Sequence, residues 1–384
     1  MSTLKVTNIQ NPSTSSGGVS IDTSGHVTVD SVAMPSSGPL SNRNKIINGD
    51  MRIDQRYGGT AFTPGSPSSN TYTVDRWQLT QELGSSWTFQ QNRNGVTPPA
   101  GFSNYLGITV NSASTPTSGS YNAWRQAIEG YNASDLAWGT ADAKSVAVSF
   151  WVRSSLTGQF SGSLRNGAAT FVSYPFTYTI NSANTWQYVT LTIPGPTTGT
   201  WNTLSSSGIE VFFDLGCGSS NRGTAGSWAT QNVLGATGSV NLISTAGATF
   251  YITGVQLEAG SVATPFEHRS YGDEMRRCQR YFWAPIKDGS NTLGVAFGGG
   301  GTNAIYHPVV FPVQMRAAPT VFITSAVCAD NNGGVVYYSS HSLAFPTTSS
   351  VQNMITMGAT VIVHQPYHIR GTGATSEYSF NAEL

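Results

Sequence analysis

The chain has 384 residues, of which 10% are charged, and its 19 basic and 19 acidic side chains cancel to a formal net charge of zero. This balance disfavours a nucleic-acid binder, which usually carries a basic patch. Disorder is disfavoured as well, because 9 Trp, 16 Tyr and 17 Phe supply apolar surface for a core. Turn residues, including 42 glycines, separate short apolar runs throughout the sequence, which is typical of an all-β protein.

Other classes of protein are disfavoured by what the sequence lacks. Cys217, Cys278 and Cys328 have no spacing that suits a zinc site. No apolar run approaches the ~20 residues that cross a membrane, and the N-terminus lacks the apolar core of a secretory signal. No GxSxG, HExxH or P-loop motif is present. We therefore expect a non-enzymatic protein without cofactors that is made in a cytoplasm.

Residues 1–40 are predicted to form an N-terminal segment without a core of its own. Val19 and Ile21 alternate before a turn, and Val27 and Val29 alternate after it, which indicates a small hairpin. A single hairpin is only marginally stable in water. The segment therefore either frays or folds against other subunits or a docking site.

Residues 41–268 are predicted to form one large β-domain. Ile46, Ile47, Met51 and Ile53 indicate a first strand. Short runs such as SVAVSFWVRS and WQYVTLTIP then recur between turns, and their alternation of apolar and polar residues is typical of half-buried strands. So many short strands in one stretch favour a two-sheet sandwich.

Residues 269–282 are predicted to form a short helix that connects two β-domains. Tyr271, Met275, Cys278 and Phe282 recur at the spacing of one helix face. This pattern predicts a buried face at a junction between domains or subunits, with Met275 and Cys278 inside it.

Several of these segments together resemble a block that is common in bacteriophage tail-fibre and virion structural proteins. They span about residues 42–283 and are NRNKIINGDMRIDQR, TYTVDRW, FWVRSS, WQYVTLTIP and GVQLEAGSVATPFEHRSYGDEMRRCQRYF. The block resembles jelly-roll carbohydrate-binding modules, and MSTLKVTNIQNP and SIDTSGHVTVD resemble the virion-attachment ends of such fibres. The resemblance implies a homotrimer with its N-terminus on the phage tail proteins and its C-terminus distal.

Jelly-roll modules of this kind often hold a structural calcium ion between their first and last strands, which makes Asp50 and Glu258 candidate ligands. The two residues also suit another interpretation, in which Asp50 serves a turn and Glu258 pairs with an arginine such as Arg52. We favour this second interpretation and expect no metal site.

Glycan binding would use aromatic side chains, since a flat ring stacks on the apolar face of a pyranose. Trp77, Trp151 and Trp186 lie in strand patterns, and we expect them in the core. Other tryptophans lie in turn-rich surroundings, which suit contact with a glycan and packing in the core or between subunits equally well. These candidates are Trp87, Trp124 and Trp138.

Residues 283–384 are predicted to form a small β-sandwich at the distal tip. Neighbouring residues of a strand point to opposite faces, so at most one of Tyr337 and Tyr338 lies in the core. The tip residues that we expect to contact a receptor lie near glycine-rich turns and are Asn331, Tyr337, Tyr338 and His341.

We expect a tail fibre that is located in the virion tail and attaches to glycan or lipopolysaccharide on the host cell surface. Linked weak sites raise avidity by ~10²–10⁴ without new contacts, so a trimer makes weak sugar contacts useful. One alternative is a purely structural or capsid-decoration protein without a receptor. Another is a fibre that cleaves surface polysaccharide, which requires two carboxyl groups facing each other across a cleft.

Overall fold

The computed structural model describes most of the chain. The described residues are 8–9, 18–29, 32–35, 40–65, 70–82, 87–289, 292–299, 303–324, 327–331, 334–344, 346–362 and 365–384. They belong to two compact units, one formed by Met1–Arg52 and Gly59–Arg269 and the other by Ile53–Gly58 and Ser270–Leu384. Among the described residues, no helix is both long enough and apolar enough to cross a membrane.

The first unit consists of strands joined by turns, which confirms the predicted all-β class. The strands are β1 Asn8–Ile9, β2 Val19–Ile21, β3 Val27–Val29, β4 Val32–Ala33, β5 Thr71–Tyr72, β6 Gln78–Gln81, β7 Trp87–Gln91, β8 Leu106–Val110, β9 Asn122–Glu129, β10 Val146–Ser154, β11 Gly158–Asn166, β12 Ser173–Ile180, β13 Gln187–Ile193, β14 Ser207–Asp214, β15 Arg222–Gly223, β16 Gly235–Ala236 and β17 Thr249–Ala259. Short 3-10 helices lie at Arg93–Gly95, Gly130–Asn132, Ser134–Leu136, Ser219–Asn221 and Leu242–Ser244.

Two antiparallel sheets form the jelly-roll sandwich of the first unit, as the sequence predicts. Sheet A has the strand order β13-β10-β17-β8-β7, and sheet B has the order β12-β11-β14-β9-β6-β5. Strand β10 is an interior strand of sheet A, because it pairs with β13 along one edge and with β17 along the other. The N-terminal strands form a separate sheet in the order β1-β2-β3-β4, which contains the predicted hairpin.

Aromatic side chains fill the space between sheets A and B. Phe150 of β10 meets Phe213 of β14 with ring centroids 5.0 Å apart. Phe250 of β17 meets Trp124 of β9 at 5.8 Å. Each large aromatic side chain buries ~150–250 Å². The aromatic residues therefore give this chain a core although its aliphatic runs are short.

Residues 46–53, predicted as a strand, are irregular backbone, and residues 44–49 lie beside β17. The side chain of Asn44 makes hydrogen bonds to the backbone of β17 that a paired strand would otherwise make. Its Oδ1 accepts from the N–H of Leu257 and its Nδ2 donates to the carbonyl of Val255, both at 3.0 Å. Asn48 has a φ of 58°, which is incompatible with a strand. The apolar residues of the stretch are nevertheless buried. The sequence pattern thus predicted their burial but not the backbone pairing.

The second unit contains a helix, the C-terminal strands and the segment Ile53–Gly58. In this segment, the guanidinium of Arg56 lies 3.7 Å from the ring centroid of Phe282 and donates to Glu383 at 3.2 Å. The elements are α1 Tyr271–Gln279, β18 Phe282–Gly289, β19 Thr292–Gly298, β20 Ala304–Val310, β21 Thr320–Ile323, β22 Val327–Asn331, β23 Gly334–Ala344, β24 Ser350–Met357, β25 Pro366–Gly371 and β26 Gly373–Asn381.

The second unit contains a closed barrel, whereas the sequence predicts a sandwich. The barrel has the strand order β19-β20-β24-β23-β22-β25, and β18-β26-β21 form a smaller sheet. Closure depends on β25, which pairs with β19 on one side and with β22 on the other. Strands alternate inward and outward residues in barrels and in sandwiches alike, so the sequence pattern did not distinguish the two.

Helix α1 buries a different face from the predicted one. Cys278 is buried as expected, but Met275 is half-buried and Tyr271 is 58% exposed. The fully buried face is formed by Glu274 and Cys278, which lie one turn apart. Phe282 lies in β18, beyond the helix end. Because the helix stops before Phe282, that residue does not share a helical face with the others.

Cys278→Asp is expected to destabilise the second unit by on the order of 3 kcal/mol, because it places a carboxylate at a fully buried position. The matched control, Met275→Asp, changes the half-buried side of the same helix and is expected to cost about 1 kcal/mol. Urea unfolding of both variants measures the difference. Equal midpoints would contradict the assignment of the buried face.

A small polar network is buried in the second unit. Asn353 of β24 donates to the hydroxyl of Tyr378 of β26 at 2.8 Å, and Nδ1 of His307 of β20 lies 3.3 Å from the same hydroxyl. Burial raises the pKa of Tyr378 and lowers the pKa of His307 to about 4. His307 is therefore neutral in the folded protein at neutral pH.

Acid is expected to destabilise the second unit through His307. The pKa of histidine is 6.5 in an unperturbed state and about 4 at this buried site. Between pH 6.5 and about pH 4, the unfolded chain binds a proton at this histidine that the folded protein does not bind. The stability of the folded protein is therefore complete above pH 6.5 and decreases as the pH falls towards 4. The loss is on the order of 3 kcal/mol.

Thermal unfolding at a series of pH values across this window measures the effect. The control variant His307→Gln has no titrating group at this site and is expected to show a shallower dependence of the midpoint on pH. Identical slopes in the two proteins would show that His307 is not the cause.

Candidate functional site

The outward side of sheet A carries a row of aromatic side chains, which we call the aromatic face. Its members are Phe102, Trp151, Trp186, Tyr188 and Tyr251. Trp151 of β10 pairs in register with Tyr188 of β13, and their ring centroids are 5.2 Å apart. Tyr188 is 42% exposed, and Trp151 and Trp186 are half-buried. The rings of these three residues are therefore accessible to a ligand.

Two glycines make room for rings on the aromatic face. Gly254 of β17 has a φ of 62°, which favours glycine, and a Cβ there would lie 2.7 Å from the ring of Phe102 and 3.2 Å from Trp151. Gly107 of β8 pairs in register with Tyr251, and a Cβ there would lie 2.8 Å from its ring. The missing side chains therefore let these rings pack closely onto the sheet.

Polar groups accompany the rings of the aromatic face. The guanidinium of Arg153 lies 5.4 Å from the ring centroid of Tyr251. The indole N–H of Trp186 donates to the carbonyl of Thr97 at 2.8 Å, which fixes the position of its ring. Thr190 is exposed two residues after Tyr188, on the same side of β13. Such a surface can stack on the apolar face of a sugar and bond to its hydroxyl groups.

A second aromatic cluster borders a cavity that we call the tryptophan pocket. Trp138, Trp201 and Trp228 pack edge to face with ring centroids 4.8–5.5 Å apart. Each indole N–H donates to a backbone carbonyl, which fixes the rings. Trp138 and Trp201 line a pocket of about 220 Å³ together with polar side chains that include Thr140 and Asn202. Trp138 thus lies at a pocket, although Trp201 is the more exposed of the two.

The other two tryptophans proposed as glycan contacts are core residues. Trp87 and Trp124 are both 0% exposed, so neither ring can stack on a sugar. Trp151 and Trp186 were expected in the core, but they lie on the aromatic face. Trp77 is buried as expected. Neither turn-rich surroundings nor a strand pattern shows by itself which side of a sheet a tryptophan occupies, and this is why both assignments failed.

The tip candidates divide between the two faces of β23. Tyr337 is 54% exposed, whereas Tyr338 packs against the core of the second unit. The register of β23 shifts between Tyr338 and Ser340, and the hydroxyl of Tyr338 lies 2.8 Å from Nδ1 of His341. The side chain of Asn331 lies outside the described part of the chain. The structure thus joins Tyr338 to His341 and leaves Tyr337 facing solvent.

The two candidate calcium ligands have protein partners. Nε of Arg52 donates to Asp50 at 2.5 Å. Arg43 lies 3.4 Å from Glu258, which also accepts from the N–H and the hydroxyl of Thr264. This agrees with the interpretation based on arginine pairing, with Arg43 rather than Arg52 beside Glu258. In the part of the chain that the structure describes, no group of three or more His, Cys, Asp or Glu residues could hold a metal ion.

The comparisons with known proteins found similar solved structures only. No protein-family model matches the chain, and no curated protein matches it. Among solved structures, the chain is similar to the enzymatically active domain of tailspike protein 4 from bacteriophage CBA120. The identity is 16% and the TM-score is 0.32, over 57% of this chain and 22% of that one.

Carbohydrate-binding modules are also among the similar structures. One is a family 11 module from Clostridium thermocellum in complex with a mixed-linked tetrasaccharide, with 12% identity and a TM-score of 0.25 over 52% of this chain and 95% of that one. Another is the CBM22-1–CBM22-2 tandem domain from Paenibacillus barcinonensis, with 10% identity and a TM-score of 0.28 over 86% of this chain and 100% of that one. At such identities and scores, the likeness does not transfer a function.

Proposed function

We propose that this chain is a receptor-binding structural protein of a bacteriophage tail, which attaches the particle to glycan on the host cell surface through the aromatic face. The observation that carries the binding function is the accessibility of Trp151, Tyr188 and Trp186 on the outward side of sheet A. Large aromatic side chains are usually buried, so a row of them at the surface marks a binding site. The location in a phage tail rests on the resemblance of the sequence segments to tail-fibre proteins.

The chemistry of the aromatic face suits a sugar. Ring faces cover the apolar side of a pyranose, while the hydroxyl of Thr190 and the guanidinium of Arg153 bond to sugar hydroxyl groups. The side chains stand on paired strands, so little conformational entropy is lost when a ligand binds. The tryptophan pocket supplies a second, smaller site of the same chemistry.

The carboxylates of sheet B favour binding over glycosidic cleavage. Glu210 accepts from Arg125 at 2.8 Å and also from Arg165. Asp214 accepts from Nε of Arg222 at 2.7 Å. A glycosidase presents one carboxyl as an acid and a second as a base or nucleophile to the same bond. These carboxylates are instead held in structural ion pairs with arginine.

The double variant Trp151→Ala, Tyr188→Ala is expected to weaken the binding of labelled protein to host cells by about 30-fold, because the loss of a central aromatic contact costs ~2 kcal/mol or more. The matched control is Tyr131→Ala, which removes a tyrosine that is 57% exposed outside the aromatic face. Trp201→Ala and Tyr337→Ala test the pocket and the tip. Loss of binding in either of these, with binding retained in the double variant, would contradict the site assignment.

Two further results would favour the alternative functions. Release of reducing ends from host polysaccharide by the pure protein would indicate a polysaccharide-cleaving fibre. Antibodies that bind the protein on the particle without blocking adsorption would indicate a purely structural or capsid-decoration protein.

A homotrimer with its N-terminus toward the particle is part of the same proposal. The N-terminal sheet exposes Ile9, Ile21 and Val29. A sheet this small is marginally stable without an apolar partner. Neighbouring subunits and a tail protein would supply that partner.

Sedimentation equilibrium is expected to give a species of three times 40.7 kDa. Ile21→Asp is expected to weaken the assembly, because it places a charge on the apolar side of the N-terminal sheet. Leu204→Asp is the matched control, since Leu204 is an exposed apolar residue in a loop of the first unit. A stable 40.7 kDa monomer of the wild-type protein would rule out the trimer.

A further inference from the structure

We propose that Asp22, His26 and Ser261 form a catalytic triad that hydrolyses acyl esters. His26 and Asp22 lie at the turn between β2 and β3, and Ser261 follows the end of β17. The triad therefore joins the N-terminal hairpin to the sandwich of the first unit. The sequence contains no GxSxG motif, but catalytic triads are defined by geometry and not by sequence position.

The three side chains have the order and spacing that nucleophilic catalysis requires. Nδ1 of His26 lies 2.9 Å from Oδ2 of Asp22, and Nε2 of His26 lies 2.9 Å from Oγ of Ser261. A carboxylate only accepts hydrogen bonds, so Nδ1 carries the imidazole proton and Nε2 is the acceptor for the serine hydroxyl. The histidine is thus placed as the base and the serine as the nucleophile.

Backbone groups hold Asp22 in position. Its Oδ1 accepts from the N–H of Ser24 at 2.8 Å and from the N–H of His26 at 2.9 Å. These bonds, chiefly the one from His26, lower the pKa of Asp22, so the carboxylate stays ionised. It orients the imidazole and stabilises the imidazolium that forms during reaction. Asp22 is exposed to solvent, so we expect a smaller rate enhancement than a buried carboxylate gives.

A pocket adjoins the triad. His26 and Ser261 line a cavity of about 510 Å³, together with residues that include Lys144 and Ser145. A cavity of this size accommodates a small organic ligand. In this proposal, the ammonium group of Lys144, a residue of the cavity lining, stabilises the oxyanion formed when the serine attacks a carbonyl.

The reaction proceeds in two balanced steps. Oγ of Ser261 attacks the acyl carbonyl carbon and its proton passes to Nε2 of His26; the bond to the alcohol oxygen then breaks, and the alcohol leaves with that proton. Water attacks the resulting acyl-serine, gives one proton to His26, and releases the carboxylic acid as the serine regains its proton. An O-acyl group on a host glycan is the expected natural substrate, and this choice alone rests on the proposed function.

The test uses the full-length protein, p-nitrophenyl acetate as the ester and a fluorophosphonate as the serine probe. The wild-type protein is expected to be labelled at Ser261, as located by peptide mass spectrometry, and to hydrolyse the ester faster than buffer. Ser261→Ala and His26→Gln are expected to lower the rate by about 100-fold or more, and Asp22→Asn is expected to lower it less. Ser182→Ala changes an exposed serine that does not line this pocket and is the matched control, with an unchanged rate.

Absence of label on Ser261 in the wild-type protein would overturn the proposal, as would an unchanged rate in Ser261→Ala. Either result would leave His26 as a structural contact between the hairpin and the end of β17. Because labelling of the wild type decides by itself, a variant that fails to fold does not obscure the answer. Host-cell binding is expected to be the same in all the triad variants, so a failed triad and a failed glycan site are distinguishable.

Discussion

Strand β17 is the element on which the first unit depends, because hydrogen bonds along both of its edges join three parts of the chain. Strand β10 pairs with one edge, β8 pairs with the first half of the other, and the side chain of Asn44 continues where β8 ends. Glu267 holds this last contact in place. Burial raises its pKa, but the N–H groups of Asn44 and Arg43 and the charge of Arg269 outweigh that effect, so the pKa is lowered.

The same strand supports the aromatic face. Val255 and Leu257 of β17 are buried in the sandwich, and Tyr251 on the opposite side of the strand is also buried, beneath the more accessible rings of that face. The register with β10 shifts beside Gly254, where the rings of Phe102 and Trp151 come close to the backbone. Trp151 stands on β10, which is paired on both edges, and Tyr188 stands on the edge strand β13, which is paired with β10. This pairing restricts the backbone under both rings, which lowers the entropic cost of binding a ligand.

Because only 10% of its residues are charged, the protein has few charged side chains with which to bind a ligand. Buried carboxylates such as Glu210 and Asp214 are paired with arginines, and removal of one partner from such a pair costs ~3–5 kcal/mol. These carboxylates are therefore held in structural ion pairs and are not available for a ligand. Recognition is left mainly to ring faces, hydroxyls and amides, which suits an uncharged glycan.

The sequence by itself determined the all-β class and the N-terminal hairpin. The expectation that Trp151 lies in the core was wrong, because it was based on the usual burial of tryptophan. Val148 and Phe150 face the core, so the alternation along β10 places the residue next to Phe150 on the outward side. The tertiary structure decided the closure of the barrel by β25 and the meeting of His26 with Ser261, which are 235 residues apart. Alternation is a local property of the backbone, whereas contacts between distant segments depend on how the whole chain packs.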